Sequence, residues 1–257
     1  MKEIRKIEPN IWQYVFVEGE NNPDIEVNLT ALLNGDKAFL IDTGFPLHAN
    51  QVKEDLLMRG IEVEKVILSH YHPDHAAGVS EFDNAQLSCS VHYKENYKKC
   101  SEVWDSKHNY KHPDKVINNN ETWKYGDFVL TFIEAPGHSK CSLITLINDR
   151  FAHVGDLVMS NDEDKPIIPY ISEDGDFNEH VCSLEKIRAL DIDSLILSHG
   201  KSICGKKDIE REINKREHYL KSVIESDGKA DIETTLIGGS ASWSYTIWHS
   251  KNLKSLM

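Results

Sequence analysis

A chain of 257 residues, 40% hydrophobic and 28% charged, is long enough for one large domain or two small ones and apolar enough for a sizeable core. Its formal net charge of −13 argues against a broad nucleic-acid groove, because a phosphate backbone would be repelled. No run approaches the ~18 apolar residues of a membrane span, MKEIRKIEPN lacks the apolar stretch of a signal peptide, and the five scattered cysteines form no CxxC pair, so a soluble cytoplasmic protein is expected.

Short β-type runs dominate the chain up to the last helical segments. WQYVFV (12–17) comes first, and NNPD (21–24) reads as a turn. NLTALL (28–33) and AFLID (38–42) read as a strand, a turn and a strand. HANQVKEDLLMRG (48–60) carries Val52, Leu56 and Leu57 at helical spacing, with Gly60 as a stop. KVILS (65–69) is an apolar strand that runs into SHYHPDHAAG (69–78). The stretch 100–120 reads as a loop closing on a turn at NNN (118–120). FVLTFIEA (128–135), CSLITLI (141–147), FAHVGD (151–156) and SLILS (194–198) are further strands. Between the last two lie the acidic, proline-containing loop 160–177 and the helix NEHVCSLEKIRAL (178–190), with Val181, Leu184, Ile187 and Leu190 on one side. KKDIEREINKREHYLKSVI (206–224) repeats Ile209, Ile213, Leu220 and Val223 on one face, and the tail 240–257 reads as helical, packing Trp248, Leu253 and Leu256. The segment 206–257 is expected to pack on the same domain as a 1–205 core, with a homodimer contact as the alternative.

Two stretches repeat one arrangement. LLNGDKAFLIDTG (32–44) is a hairpin ending in Asp42, and LINDRFAHVGDL (146–157) is a hairpin ending in Asp156. Downstream of each, VILSH ends at His70 and LILSH at His199. The matched order suggests a duplication: two sheets, each with helices outside, forming a four-layer αββα sandwich of two related halves. Polar residues at the strand ends would then meet in a crevice between the halves.

The chemistry is concentrated in HYHPDH. In an extended segment His70 and His72 share a side, and Pro73 keeps the preceding residue out of a helix. Asp74 and His75 follow where the chain turns. Four metal-binding side chains at this density are costly unless a cation neutralises them. Imidazole nitrogen and carboxylate oxygen suit a borderline divalent ion such as zinc. More ligands are needed, and three candidates stand at strand ends: His138 in APGHS, Asp156 in HVGDL and His199 in LSHG. The expected assignment gives His70, His72 and His138 to one ion and Asp74, His75 and His199 to a second, with Asp156 bridging. Two divalent ions per chain are therefore expected, zinc first, with iron or manganese as alternatives. His48, His92, His108, His112, His153, His180, His218 and His249 lack such company and read as surface or structural. His153, three residues before Asp156 on a strand, is expected to face the other side of the sheet.

These residues together resemble the metallo-β-lactamase superfamily. The resemblance rests on HxHxDH (70–75), PGH (136–138), GD (155–156), SHG (198–200) and IDTG (41–44), and spans about residues 11–205. It implies the αββα fold and makes Asp42 a carboxylate that orients a metal ligand. It also implies hydrolysis by a metal-bridging hydroxide, since bound zinc brings the pKa of water to about 7. Asp74 would double as the catalytic proton acceptor.

Within the superfamily, the pattern is similar to glyoxalase II and the acyl-homoserine lactonases and points to a small ester, thioester or lactone. It departs from glyoxalase II in HGKSICGKK (199–207) and from the lactonases at Met159, where they place a tyrosine. Class B1 β-lactamases have a cysteine in place of Asp156. An iron-dependent persulfide dioxygenase and a phosphodiesterase of the same superfamily are the alternative activities. Loops 100–120 and 160–177 are expected to border the crevice, with Trp104, Tyr110, Ile168 and Tyr170 as contacts to a small-molecule substrate.

Overall fold

The computed structural model describes residues 1–19 and 22–256. Its first four strands are an antiparallel meander: β1 (Glu3–Glu8), β2 (Ile11–Gly19), β3 (Asn22–Asn34) and β4 (Lys37–Ile41). The turn expected at 21–24 begins outside the described residues, and from Asn22 the backbone is already strand. Helix α1 (Pro46–Met58) starts with a proline, whose missing N–H costs nothing in a first turn, and stops before Gly60, where φ is +75°. The chain then adds parallel strands: β5 (Glu62–Ile67), the one-turn helix α2 (Pro73–Ala76), β6 (Gln86–Ser90), helix α3 (Lys94–Lys99) running into a π-helical turn at Cys100–Trp104, and β7 (Lys115–Ile117). These seven strands form one sheet in chain order.

The second sheet is built the same way. Strands β8 (Glu121–Tyr125), β9 (Phe128–Glu134), β10 (Leu143–Ile147) and β11 (Phe151–His153) are antiparallel. Helix α4 (Phe177–Ala189), whose first turn is capped by Asp176, leads to β12 (Ser194–Ile196), parallel to β11, and then to β13 (Ile203–Cys204). Helices α5 (Lys206–Glu225), α6 (Ile232–Thr235) and α7 (Ile247–Ser255) follow.

Alternation along the strands creates the layers. Phe39 and Ile41 of β4 point inward, to a core shared with Phe128, Leu130 and Ile147 of the second sheet. Ala38 and Leu40 point outward, to Ala49, Val52 and Leu56 of α1. In β10, Leu143 and Ile147 go inward, while Ile144 and Leu146 meet Leu184 and Ile187 of α4 and Ile213 and Leu220 of α5. A strand covered on both faces reads as a continuous apolar run, which is why these strands were visible in the sequence. Leu57 of α1, placed on the apolar side by spacing, is 53% exposed.

The two halves do repeat: hairpin, helix and parallel strand occur in both. The aspartates, however, are not equivalent. Ile41 pairs with Ile67 and His153 with Ile196, so Asp42 corresponds to Val154. The backbone confirms the match, since Asp42 N–H donates to Ile67 at 2.9 Å and Val154 N–H to Ile196 at 3.2 Å. Asp156 lies two residues further on. The histidines are equivalent, each three residues past its paired isoleucine.

One buried ion group ties the N-terminal strand to the seam between the halves. The Glu26 side chain on β3 is 1% exposed and meets Arg5 at 2.7 Å and Lys2 at 2.8 Å. Burial opposes its charge, but these two cations hold its pKa below the ordinary value. A lowered carboxyl pKa adds stability that is present above the unfolded value of about 4.3 and is lost as pH falls through the folded one. Glu26→Gln is expected to cost about 2 kcal/mol at pH 7 and much less at pH 3, measured as urea midpoints at the two pH values.

Candidate metal centre

The site stands where β4, β5, β11 and β12 end, on the edge where the two sheets meet. After β5 the chain bends at Ser69 and His70, so it does not run straight on as the sequence suggested, and the extended His72 (φ −114°, ψ 157°) leads into α2 at Pro73. That turn sends His70 and His72 one way and Asp74 and His75 to the neighbouring position. His138 follows Gly137, whose φ is +139° and where a Cβ would meet the His180 backbone at 2.2 Å, so the PGH turn requires glycine. Asp156 stands on a 3₁₀ turn (Gly155–Leu157), entered through Gly155 at φ +52°. The neighbouring structure holds this turn in place. His180 Nε2 donates to the Leu157 carbonyl at 3.0 Å, and the buried Arg216 of α5 donates to the Met159 carbonyl.

All seven predicted ligand residues meet here, in two groups. His70, His72, His138 and Asp156 form one, and Asp74, His75, Asp156 and His199 the other, with the ligand atoms of each group within 4.8 Å of one another. In the first, His70 Nε2 and His72 Nδ1 are 3.0 Å apart, and His138 Nε2 is 3.2 and 3.0 Å from them. Asp156 belongs to both: Oδ1 lies 3.2 Å from His75 Nε2 and 3.1 Å from His199 Nε2, and Oδ2 lies 3.4 Å from His138 Nε2 and 3.7 Å from His70 Nε2. Asp74 Oδ2 is 3.5 Å from His75 Nε2 and 3.4 Å from His199 Nε2.

The outer hydrogen bonds decide which way these rings face. His138 Nδ1 donates to the Tyr170 carbonyl and His199 Nδ1 to the Glu26 carbonyl, each at 2.7 Å. His75 Nδ1 donates to Asp42 Oδ2 at 2.8 Å. Ser69 Oγ donates to the same carboxylate at 2.8 Å, which leaves its lone pair for His70 Nδ1–H at 3.1 Å. A neutral imidazole that donates through one nitrogen keeps a lone pair on the other. Four rings are thus fixed with Nε2 lone pairs pointing into the cluster.

This arrangement fits divalent cations. Three nitrogens on one tetrahedral ion stand about 3.3 Å apart, close to the spacing of the first group. Buried His75 Nε2 and Asp156 Oδ1 approach closely but make no hydrogen bond, and a cation between them would satisfy both. Without one, protons are held instead. Burial opposes charge on His199, but Asp156 and Asp74 raise its pKa to about 9; burial likewise opposes charge on His75, but Asp74, Asp156 and Asp42 hold its pKa well above the usual range. In the first group burial wins, pushing His72 down to about 3 and His70 and His138 below normal. Filling the second group must therefore displace protons. Apparent affinity for the second of two zinc ions is expected to rise from pH 6.5 toward pH 9, with proton release in calorimetry run in buffers of different ionisation enthalpy.

Asp42 is where the resemblance put it, accepting from Ser69 N (2.7 Å), Ser69 Oγ, His75 and Ser198 Oγ (3.2 Å). His153 is not where parity put it. It shares the inward face with Phe151, is fully buried, and lies 3.5 Å from Ser198 Oγ, directly beneath the site. The strand ends at His153 and the chain turns at Gly155, so counting alternation on to Asp156 fails.

A cavity of about 280 Å³ opens over the cluster. His72, Asp74, His138, Asp156 and His199 form its floor, and Trp104 and Tyr170 line it as expected. The Trp104 ring stands edge-on to His72 at 5.2 Å, and Tyr170 lies 6.0 Å from His138. Tyr110 and Ile168 do not line it. The Tyr110 hydroxyl turns inward to Asp105 at 2.8 Å, and the fully buried Ile168 joins the core under α4. In that extended stretch neighbours alternate, so Ile167 and not Ile168 belongs to the apolar cluster beside the cavity. Ile25, Met159 and Trp248 also line the cavity. They come from three distant stretches, and no local spacing marks them.

The family model described as the metallo-β-lactamase superfamily matches residues 23–199, and the chain belongs to that superfamily. No curated protein matches it. Among solved structures it is similar to a metallo-β-lactamase family protein from Thermus thermophilus, at 14% identity and TM-score 0.73 over 96% of this chain and 94% of that one. It is also similar to a metallo-β-lactamase from Pontibacter korlensis, at 16% identity and TM-score 0.68 over 82% and 97%. At these identities the likeness is one of fold.

Proposed function

We propose that this chain is a dinuclear metal-dependent hydrolase of a small, uncharged ester, thioester or lactone. The carrying observation is Asp156, whose two oxygens face two separate groups of buried imidazole nitrogens. Two divalent ions, zinc by the softness of the set, would supply an acidified water and an electrophile for a scissile carbonyl. The chain supplies the rest. Asp74, with a side chain 22% exposed, is the most open of the ligand-type carboxylates and lines the cavity. Burial opposes its charge, but His75 and His199 keep it ionised below the ordinary carboxylate range. In this reading it accepts a proton from the attacking water and passes it to the leaving oxygen or sulfur. Trp104 and Tyr170 shield two of the histidines and exclude water from one side.

Size and charge narrow the substrate. A cavity of about 280 Å³ is at the small end for a ligand site. Among the described residues no lysine or arginine lines it, while Asp74, Asp156 and Glu173 do. Two dications would offset these carboxylates, so what favours a neutral carbonyl substrate over a phosphodiester is that the lining adds no cation of its own to hold a second phosphate oxygen. Freshly purified protein is expected to carry about two divalent ions per chain by mass spectrometry and to hydrolyse members of an ester, thioester and lactone panel. Full activity after complete chelation would overturn the proposal, as would a fully loaded sample inert across the panel.

A further inference from the structure

One wall of the cavity is an apolar cluster of its own. Ile25, Met159 and Ile167 are almost fully buried, and Tyr170 and Trp248 pack against them. Four of these five residues also line the cavity, so the cluster presents a hydrocarbon face to whatever enters. Its members come from the start of β3, the turn after Asp156, the 160–177 loop and helix α7. The Trp248 and Tyr170 rings lie 5.2 Å apart.

This wall is fixed in place by buried polar contacts. Asn252 of α7 is 1% exposed; its amide donates to the Pro169 carbonyl at 2.7 Å and to the Tyr219 hydroxyl at 2.9 Å, and its oxygen accepts from Ile171 N–H at 3.4 Å. His249 Nε2 donates to the Ala230 carbonyl at 3.0 Å, and its Nδ1 lies 3.2 Å from the Tyr219 hydroxyl. One turn of α7 is therefore clamped both to α5 and to the loop that carries Tyr170. A preformed apolar wall loses little entropy when it takes a ligand.

We propose that helix α7 makes this wall a specificity pocket, with Trp248 as its principal contact, and that the substrate carries an uncharged hydrocarbon or aromatic substituent on the scissile group. This rests on the hydrolase reading, so its test has two arms. In the first, metal-loaded full-length protein is assayed on p-nitrophenyl acetate, butyrate and hexanoate, on alkyl acetates of increasing length, and on the charged monosuccinate ester. Along the acyl or the alkyl series kcat/KM is expected to rise about fourfold per methylene until the cavity is full, with the monosuccinate below the butyrate. Trp248→Ala is expected to lower the hexanoate-to-acetate ratio, or the matching alkyl ratio, about tenfold. Trp248→Phe is expected to restore most of it.

The second arm needs no turnover. Binding of N-hexylacetamide and N-methylacetamide to the same protein is followed by tryptophan fluorescence. The hexyl compound is expected to bind at least tenfold tighter, with the difference removed in Trp248→Ala. If no ester is hydrolysed but this difference stands, the hydrolase reading fails and the pocket remains. If esters are hydrolysed with a flat length dependence, or with the monosuccinate preferred, the pocket inference is overturned. It is overturned equally if Trp248→Ala folds normally by circular dichroism and leaves the ratios unchanged.

Discussion

Asp156→Ala is expected to lower kcat/KM by about 10³-fold or more and to leave fewer metal ions bound per chain. The size of the effect follows from the position of the side chain. Asp156 is the one residue shared by both groups, with oxygens within 3.2 Å of His75 and 3.4 Å of His138. Its carboxylate is also the charge around which five imidazoles are gathered. Burial opposes ionisation, yet His199, His75, His70 and His138 together hold its pKa well below the usual value. Removing it leaves the first group with no anion and the second with only Asp74 to balance a pair of dications. Asp156→Asn tests charge separately from shape, because the Gly155 turn survives and one oxygen remains. Metal content by mass spectrometry and kcat/KM on the best panel substrate, with circular dichroism as the folding control, decide the matter. A variant that keeps both ions and activity within tenfold of the parent would remove Asp156 from the bridging role.

The second large effect is expected at a residue that need not touch metal. Asp42→Asn looks conservative but should weaken one metal position by about 10- to 100-fold. If the asparagine oxygen keeps the bond from Ser69 N–H, its amide nitrogen replaces Oδ2. That nitrogen carries hydrogens and would face His75 Nδ1–H, Ser69 Oγ–H and Ser198 Oγ–H, all of which now donate to an acceptor. His75 relieves the clash by moving its proton to Nε2, which takes its lone pair away from the cluster. The first group is reached only indirectly, through Ser69 Oγ beside His70, and His138 stays tied to the Tyr170 carbonyl, so it should change less. Titration with zinc against a competing chelator should show one position close to the parent and one weakened. Two unchanged affinities would mean that Asp42 does not set the His75 tautomer.

Much of this was legible before any fold was known, for physical reasons that differ along the chain. Residues 28–32 of β3, 38–41 of β4, the end of β5 from Val66, and strands β10 and β12 are covered on both faces and so write themselves as largely apolar runs. Strand β8, with its ETWKY sequence, is half exposed, and β1 is largely polar, so neither stood out. The ligands were legible because crowded histidines and aspartates at strand ends have few other uses. The supporting atoms were less so. Ser69 and Ser198 were visible only as parts of a repeated ILSH string, and His153 was misplaced because a positive-φ glycine breaks the count between it and Asp156. The substrate wall was least legible. Tyr110 and Ile168 sit in the right loops but turn into the core, while Trp248 reaches the cavity from the far end of the chain. Loop membership says which backbone is near a site, and only tertiary packing says which side chain faces it.

The candidate ligands are drawn from both sheets: His70, His72, Asp74 and His75 follow β5 of the first, and His138, Asp156 and His199 follow strands of the second. A cation bound between them would act as a rivet across the seam, present in the folded chain and absent from the unfolded one. Resistance to heat should then read out free metal. Each tenfold rise above the dissociation constant adds about 1.4 kcal/mol per occupied position, so the melting temperature of this protein has meaning only at a stated metal activity.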